Sequence, residues 1–283
     1  MDIGMAVDRI DHLDGEIYKD LAKAGYKAID LGLTEVHRDD FYTMPVDDMI
    51  AQAQSLKKQL AELGMYVNQV HGPWKYPPCD KTPADRESLF NKIFRSVLAT
   101  YILGAKYFVI HPIMPFGADY IPREKWLENR LINKEFFRRI CDMARNYNVV
   151  VCLENMPFKE TGISTPTEIA DFVREMNDDN LKMCLDTGHL NLFPDLNLAK
   201  EVRACGDLIK VLHVHDNHGC YDEHSYPYSG TFNWKKFGKL LKEVGYEGVF
   251  SLETNLPNKK RTPKRAKREI YKLYYNVSKK IVN

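Results

Sequence analysis

Short apolar, β-branched runs alternate with longer stretches of helical periodicity from one end of this chain to the other. That is the pattern of βα units feeding a parallel sheet. Eight runs predict strands at residues 3–7, 28–33, 66–71, 107–111, 149–154, 181–186, 209–215 and 248–253. Amphipathic stretches between them predict helices over 46–63, 86–103, 134–147, 166–176 and 234–244, among others. Gly25, Gly64, Gly104 and Gly245 each stand just ahead of a strand, where glycine supplies the left-handed conformation that ends a helix. Thr165-Pro166-Thr167-Glu168 reads as a helix start with a capping box. No Pro/Gly/Ser linker divides the chain, so residues 1–283 are expected to form one domain. Eight unbroken units favour a closed α/β barrel, a single (β/α)8 TIM barrel, over an open doubly wound sheet. The first strand is followed by no GxGxxG, which weakens a dinucleotide fold.

The predicted strands end in polar residues, and in such barrels the strand ends face a common pocket. His71, His111, Glu154, Asp186, His213 and Glu253 close six strands, and His189, Asp222 and His224 follow in the adjoining loops. Bringing these imidazoles and carboxylates to one rim is costly without a cation. A lone His71 or His111 is commonly structural, and Asp222 with His224 alone would read as loop polarity. Glu154, Asp186 and Glu253 together exceed what barrel salt bridges require. Mixed nitrogen and oxygen donors without thiolate suit Zn, Mn, Fe, Co or Ni better than Ca, with Zn and Mn first. His213 and His215 share one face of their strand; His213 is the preferred ligand and His215 the residue behind it. Trp74, Tyr76, Phe116, Tyr120, Phe158, Tyr226 and Tyr228 offer either a platform for a sugar ring or flipped nucleotide, or loop packing. Asn155 and Asn217 are placed to orient ligands or substrate hydroxyls.

Composition changes this picture little. The 283 residues, 44% hydrophobic, match the length of one barrel. A net charge of +1 and a pI near 7.6 give no push toward nucleic acid or membrane. Residues 258–283 are the exception, with ten Lys or Arg against Glu269 alone: a solvated last helix, or an anion or partner surface. Six cysteines without CxxC spacing, Cys152 and Cys184 inside apolar runs, read as reduced thiols of a cytoplasmic chain. No stretch reaches 18 apolar residues, so no membrane association is expected.

In chain order, His-Gly-Pro (71–73), Ile-His-Pro (110–112), Leu-Glu-Asn (153–155), Leu-Asp-Thr-Gly-His (185–189), His-Val-His-Asp (213–216), Asp-Glu-His (222–224) and Leu-Glu-Thr (252–254) resemble one family. It is the xylose isomerase-like TIM-barrel superfamily, which holds sugar isomerases, epimerases and endonuclease IV, and the resemblance spans nearly the whole chain. It implies a divalent metal held by Glu154, Asp186, His213 (or His215) and Glu253, the two glutamates flanking a small polyhydroxy substrate as acid and base. It also implies substrate contact or a second metal at His189, and a substrate-hydroxyl contact at Glu160. All nine positions above resemble the three-zinc ligand set of endonuclease IV, which keeps phosphoester hydrolysis, and nucleic acid as its substrate, as the alternative. The loop 225–234 lacks that nuclease's Gly-Glu-Gly and ends, Gly230 to Trp234, like sugar isomerase-like members. Residues 34–44 carry Arg38 but no DNA-penetrating loop, and the arginine that ketose 3-epimerases place after the strand-seven histidine is missing. The expectation is therefore a metal-dependent sugar or sugar phosphate isomerase/epimerase with one to three ions, using His189, Glu160, His215, Trp74 and Asn155 on substrate. Barrel exteriors often pair, which leaves a homo-oligomer open, and the sequence names no interface for it.

Overall fold

The computed structural model describes residues 1–7, 15–34, 40–78, 80–118, 120–256 and 261–283. Strands β1 (Ile3–Val7), β2 (Ala28–Gly32), β3 (Tyr66–His71), β4 (Tyr107–Ile110), β5 (Val150–Glu154), β6 (Leu181–Asp186), β7 (Ile209–His213) and β8 (Phe250–Leu252) run parallel in one eight-stranded sheet. The hydrogen-bonded order is β7-β6-β5-β4-β3-β2-β1-β8. Closure between β7 and β8 rests on Val214, whose N–H donates to the Ser251 carbonyl at 2.9 Å and whose carbonyl accepts from Glu253 N–H at 3.0 Å. The chain is thus a single (β/α)8 barrel, as the alternation predicts. Arg38, Cys79, Lys259 and Lys260 lie outside the described residues.

The helices are α1 (Glu16–Ala24), α2 (Val46–Glu62), α3 (Pro83–Leu103), α4 (Trp126–Arg145), α5 (Pro166–Met176), α6 (Thr187–Asn191), α7 (Leu198–Cys205), α8 (Trp234–Glu243) and α9 (Lys264–Val282). Gly25, Gly64, Gly104 and Gly245 all have left-handed φ, between 66° and 109°. Thr165 and Glu168 form the predicted capping box, and Thr82 with Asp85 forms a second at the start of α3. α4 begins eight residues before the predicted start at 134, and the reason is an inverted pattern. Leu127 and Leu131 face solvent while Asn129 and Asn133 are buried. Asn133 bonds both the N–H and the carbonyl of Ile113, and Asn129 donates to Thr161 O, so amides tie this helix to the loops after β4 and β5. The basic last segment is a docked helix: α9 buries Tyr271, Tyr274, Ser278, Ile281 and Val282, and pairs Arg268 with Asp20. Among the described residues no helix is long and apolar enough to cross a membrane, and the five described cysteines are free thiols.

Period-two alternation sorts the strand side chains into two cores. Ile29, Leu31, Phe108, Ile110, Val151, Leu153, Met183, Leu185, Leu212, Phe250 and Leu252 point outward into the large helix-covered core. Val109, Cys152, Cys184 and Val211 form a separate inner cluster. Two residues further along those strands stand His111, Glu154, Asp186 and His213, so the polar set is the next inward layer above the apolar plug. Strand β7 ends at His213, short of the predicted residue 215: Val214 makes only an isolated bridge to Leu252, and the His215 backbone N–H and carbonyl are taken by the Thr187 hydroxyl.

On the outer wall Gly238 of α8 has no room for a side chain: a Cβ there would lie 2.3 Å from the Ile281 carbonyl oxygen of α9. Gly238→Ala is expected to push the two helices apart and cost about 1–3 kcal/mol of stability, read as a lower urea midpoint. An unchanged midpoint would show that this contact constrains nothing.

Candidate metal centre

Glu154, at the end of β5, is 1% exposed and touches imidazoles on three sides. Its Oε2 lies 3.1 Å from His111 Nε2 and 3.3 Å from His71 Nε2, and those two nitrogens face each other at 3.2 Å. Its Oε1 lies 2.8 Å from His213 Nδ1, which is also 3.2 Å from Glu253 Oε2. A second convergence forms on Asp222, whose Oδ2 is 3.3 Å from His189 Nε2 and 3.1 Å from His224 Nε2. Between the two, Glu154, Asp186, His213 and Glu253 each bring one donor atom within 4.8 Å of the others. His215 adjoins this set, with Nε2 3.0 Å from Asp186 Oδ2 and its ring stacked on His224 at 4.1 Å.

The donor set fits a divalent metal on geometry and on tautomer. Donors bound at about 2.0–2.1 Å around a tetrahedral ion stand about 3.4 Å apart, close to the separations in both convergences. Two imidazole nitrogens facing each other require a proton or a cation between them. Three histidines are also locked in one orientation. His71 Nδ1 meets Gly72 O at 3.0 Å, His189 Nδ1 meets Asn155 O at 2.7 Å, and His224 Nδ1 meets Glu253 O at 2.9 Å. A carbonyl only accepts, so each Nδ1 carries its proton and each Nε2 is turned to the cluster, the arrangement that orients metal-bound histidines. His224 is further held at φ 49°, a left-handed conformation that costs a non-glycine residue about 1 kcal/mol or more.

A staple holds the loop carrying Asp222 and His224. Buried Asp216 accepts four hydrogen bonds, from the N–H groups of Asn217, Gly230 and Phe232 and from Trp234 Nε1 at 2.7 Å. Asn191 donates to the Asn217 carbonyl and side chain, and Asn217 donates to Gly188 O, fastening the loop to α6. Gly188 is obligatory there, since a Cβ would lie 1.8 Å from the His215 ring.

The same crowding sets the charges of the metal-free site. Burial drives His111 down to about 4, against the pull of Glu154. Burial also opposes charge on His189, His213 and His224, but neighbouring groups win: Asp186 and Asp222 raise His189, Cys184 and Glu154 raise His213, and Asp222 and Glu253 bring His224 to about 10. Glu154 is held well below the usual carboxylate range by His213 and His111 in spite of burial. Glu253, where burial outweighs His213 and His224, is raised.

A family model described as xylose isomerase-like TIM barrel matches residues 18–274. The chain belongs to that family. A D-psicose 3-epimerase of Enterocloster bolteae is 25% identical over 211 residues, covering 71% of this chain and 66% of the relative. A probable endonuclease 4 of Mycoplasmopsis synoviae is 26% identical over 194 residues, covering 64% of this chain and 66% of that one. In both, the aligned stretch spans just under two thirds of the relative's own length. The solved structure of a D-tagatose 3-epimerase-like protein superposes with TM-score 0.74 at 25% identity, covering both chains fully.

Within this family barrel the nine ligand candidates all converge, while the residues expected on substrate divide. Trp74 stands edge-on to His111 with ring centroids 4.4 Å apart, and with Phe158 and Tyr76 forms an aromatic wall. Asn155 is a strut instead: its amide bonds both the N–H and the carbonyl of Asp186, and its own carbonyl orients His189. Glu160 is exposed, and its carbonyl, not its carboxylate, is engaged, accepting from Ile121 N–H and Trp126 Nε1. Tyr226 stacks on Tyr274 and Tyr228 lies against Trp234, so these two pack the loop. Asp30 and Gln69, buried below His213, were not singled out by the sequence pattern. The signal was an acid in the middle of Ala28-Ile29-Asp30-Leu31.

Because metal ligands must be deprotonated, binding to this site is expected to release protons at pH 7, where His189, His213 and His224 are charged without metal. Affinity should therefore rise with pH. Titration calorimetry of Zn or Mn in buffers of different ionisation enthalpy measures the number released, and none at pH 7 contradicts this charge assignment. Asp216→Ala is expected to free the loop and lower metal content per chain, by elemental mass spectrometry, with β-barrel circular dichroism unchanged.

Proposed function

We propose that this chain is a divalent-metal-dependent isomerase or epimerase of a small polyhydroxy substrate, a sugar or sugar phosphate. The observation that carries the reading is the pair of strand-end glutamates, Glu154 and Glu253. Both carboxylates face one nitrogen, His213 Nδ1, at 2.8 and 3.2 Å, yet their surroundings push their proton affinities apart. Two carboxylates converging on one site from different strands are the groups that proton transfer between adjacent carbons needs. Glu154, Asp186, His213 and Glu253 would hold the primary ion, with Zn or Mn suited to the donors. Such an ion supplies polarisation of a substrate carbonyl and its neighbouring hydroxyl. Glu154 and Glu253 would exchange protons with the substrate carbon, one accepting the proton and the other returning one. The aromatic wall of Trp74 and Phe158 closes one side and sheds water. The names of the epimerase relatives support this reading.

Glu154→Gln is expected to lower turnover of ketohexoses or their phosphates by about 10²–10⁴-fold. Full turnover in a folded variant that keeps its metal would remove the acid/base assignment.

A second reading, a multinuclear phosphodiesterase, is favoured by the two outer convergences, His71–His111–Glu154 and His189–Asp222–His224, which exceed what one Lewis acid needs. A metal cluster clamps attacking and leaving oxygens in phosphoester cleavage. Elemental analysis of protein purified without tag or chelator separates the two. About one metal per chain, unchanged by Asp222→Ala with His224→Ala, supports the isomerase. Two or three, falling in that variant, together with cleavage of an aryl phosphodiester or of abasic DNA, support the hydrolase.

A further inference from the structure

His213 is oriented opposite to the other ligand histidines. His71, His189 and His224 turn Nδ1 to a backbone carbonyl and Nε2 to the cluster. His213 turns Nδ1 to Glu154 and Glu253, and its Nε2 points down the barrel to Asp30 Oδ2, 3.0 Å away. The approach lies off the N–H axis, so this is an ion-pair contact, and the Cys184 thiol lies beside the same imidazole. Asp30 is 2% exposed. A buried carboxylate is expensive unless partnered, and here Gln69 Nε2 donates to the same Oδ2 at 2.8 Å, while Asn68 Nδ2 donates to Gln69 Oε1 at 2.8 Å and fixes which way that amide faces. Gln69 also donates to Leu212 O, reaching the strand that carries His213. The sheet is built to allow it: the β2–β3 register shifts between Ile29 and Asp30, making Asp30 and Gln69 direct partners. Bulges of this kind re-aim side chains beside functional sites.

We infer that Asp30, held by Gln69, is a positioning residue for the metal: its charge anchors the Nε2 end of His213 and so selects His213, through Nδ1, as the ligand from β7. The inference rests on the metal reading above and names how this chain chooses between two histidines on one face of one strand. His215 has no such anchor among the described residues: both of its carboxylate contacts, Asp186 and Asp222, are at Nε2, and none is at Nδ1, whereas the far nitrogen of His213 has Asp30 within ion-pair reach although neither far nitrogen has a hydrogen-bond partner. A negative charge facing the far nitrogen of an imidazole favours a proton there and leaves the other nitrogen free to ligate, and removing partners behind a ligand lowers metal affinity about 10–100-fold.

The test is Asp30→Asn, which keeps the shape and an acceptor for Gln69 but deletes the charge. Mn and Zn affinities are measured for wild type, Asp30→Asn, His213→Ala and the double variant by competition with a chromogenic chelator. Melting temperatures are taken with and without metal. The expected result is about 10–100-fold weaker binding in Asp30→Asn, a smaller rise in melting temperature on adding metal, an unlowered metal-free melting temperature, and no further loss when Asp30→Asn is added to His213→Ala. Equal affinity in wild type and Asp30→Asn, or a loss that persists undiminished in the His213→Ala background, overturns the role of Asp30. So does a drop in metal-free stability with an unchanged metal-induced rise, the signature of a purely structural residue. Wild type that binds neither ion removes the metal reading itself, an outcome distinct from these.

Discussion

Glu154 is where the constraints of this molecule meet. Its carboxylate is buried at the mouth of the barrel and is met by imidazoles, from β3, the end of β4 and β7, that are themselves buried. Neither partner is at ease without the other, since a carboxylate without cations would be driven neutral and histidines without anions would lose their protons. The barrel tolerates the layer because an apolar plug of Val109, Cys152, Cys184 and Val211 seals it from below and fixes the height at which each strand delivers its donor. Strand alternation then carries the energetics into function. The residue two beyond each plug position points inward, and its neighbours on adjacent strands point at the same space.

Around this layer the structure spends its hydrogen bonds on orientation. Backbone carbonyls turn three histidines, Asn155 ties β5 to β6, and Asp216 gathers four donors to hold the loop that completes the outer convergence. These are contacts behind the ligands, the kind that make a site rigid enough for geometry to matter. The membership of the chain in a family whose named relatives include epimerases and an endonuclease fits such a scaffold. One rim holds more donors than proton transfer alone requires, and the loops and charges around it decide the chemistry.

The elements most readable in the sequence were those where one local force dominates. β1, β3, β6 and α5 fall where the apolar pattern puts them, because each buries a continuous face and is bounded by polar residues, by glycine or by Thr-Pro. The first half of α4 was hidden by Asn129 and Asn133, which look inward to satisfy loop backbone, so periodicity pointed the wrong way. The end of β7 was overestimated because the Thr187 hydroxyl takes the His215 backbone groups that a longer strand would pair. The strand-end ligand candidates were legible for a simple reason: an acid or imidazole closing an apolar strand is costly there unless an opposite charge meets it.

By itself the sequence determined the βα order and the single barrel, and it named the candidate donors, since these follow from alternation, helix stops and residue chemistry along the chain. Only the tertiary structure decided how the donors group, which nitrogen each histidine presents, and that Glu160 stands outside while Asn155 works as a strut. It alone joined Asp30 of β2 to His213 of β7, across the barrel and through a shift in strand register. Such contacts depend on closure of the sheet, a long-range condition that no local window of residues encodes.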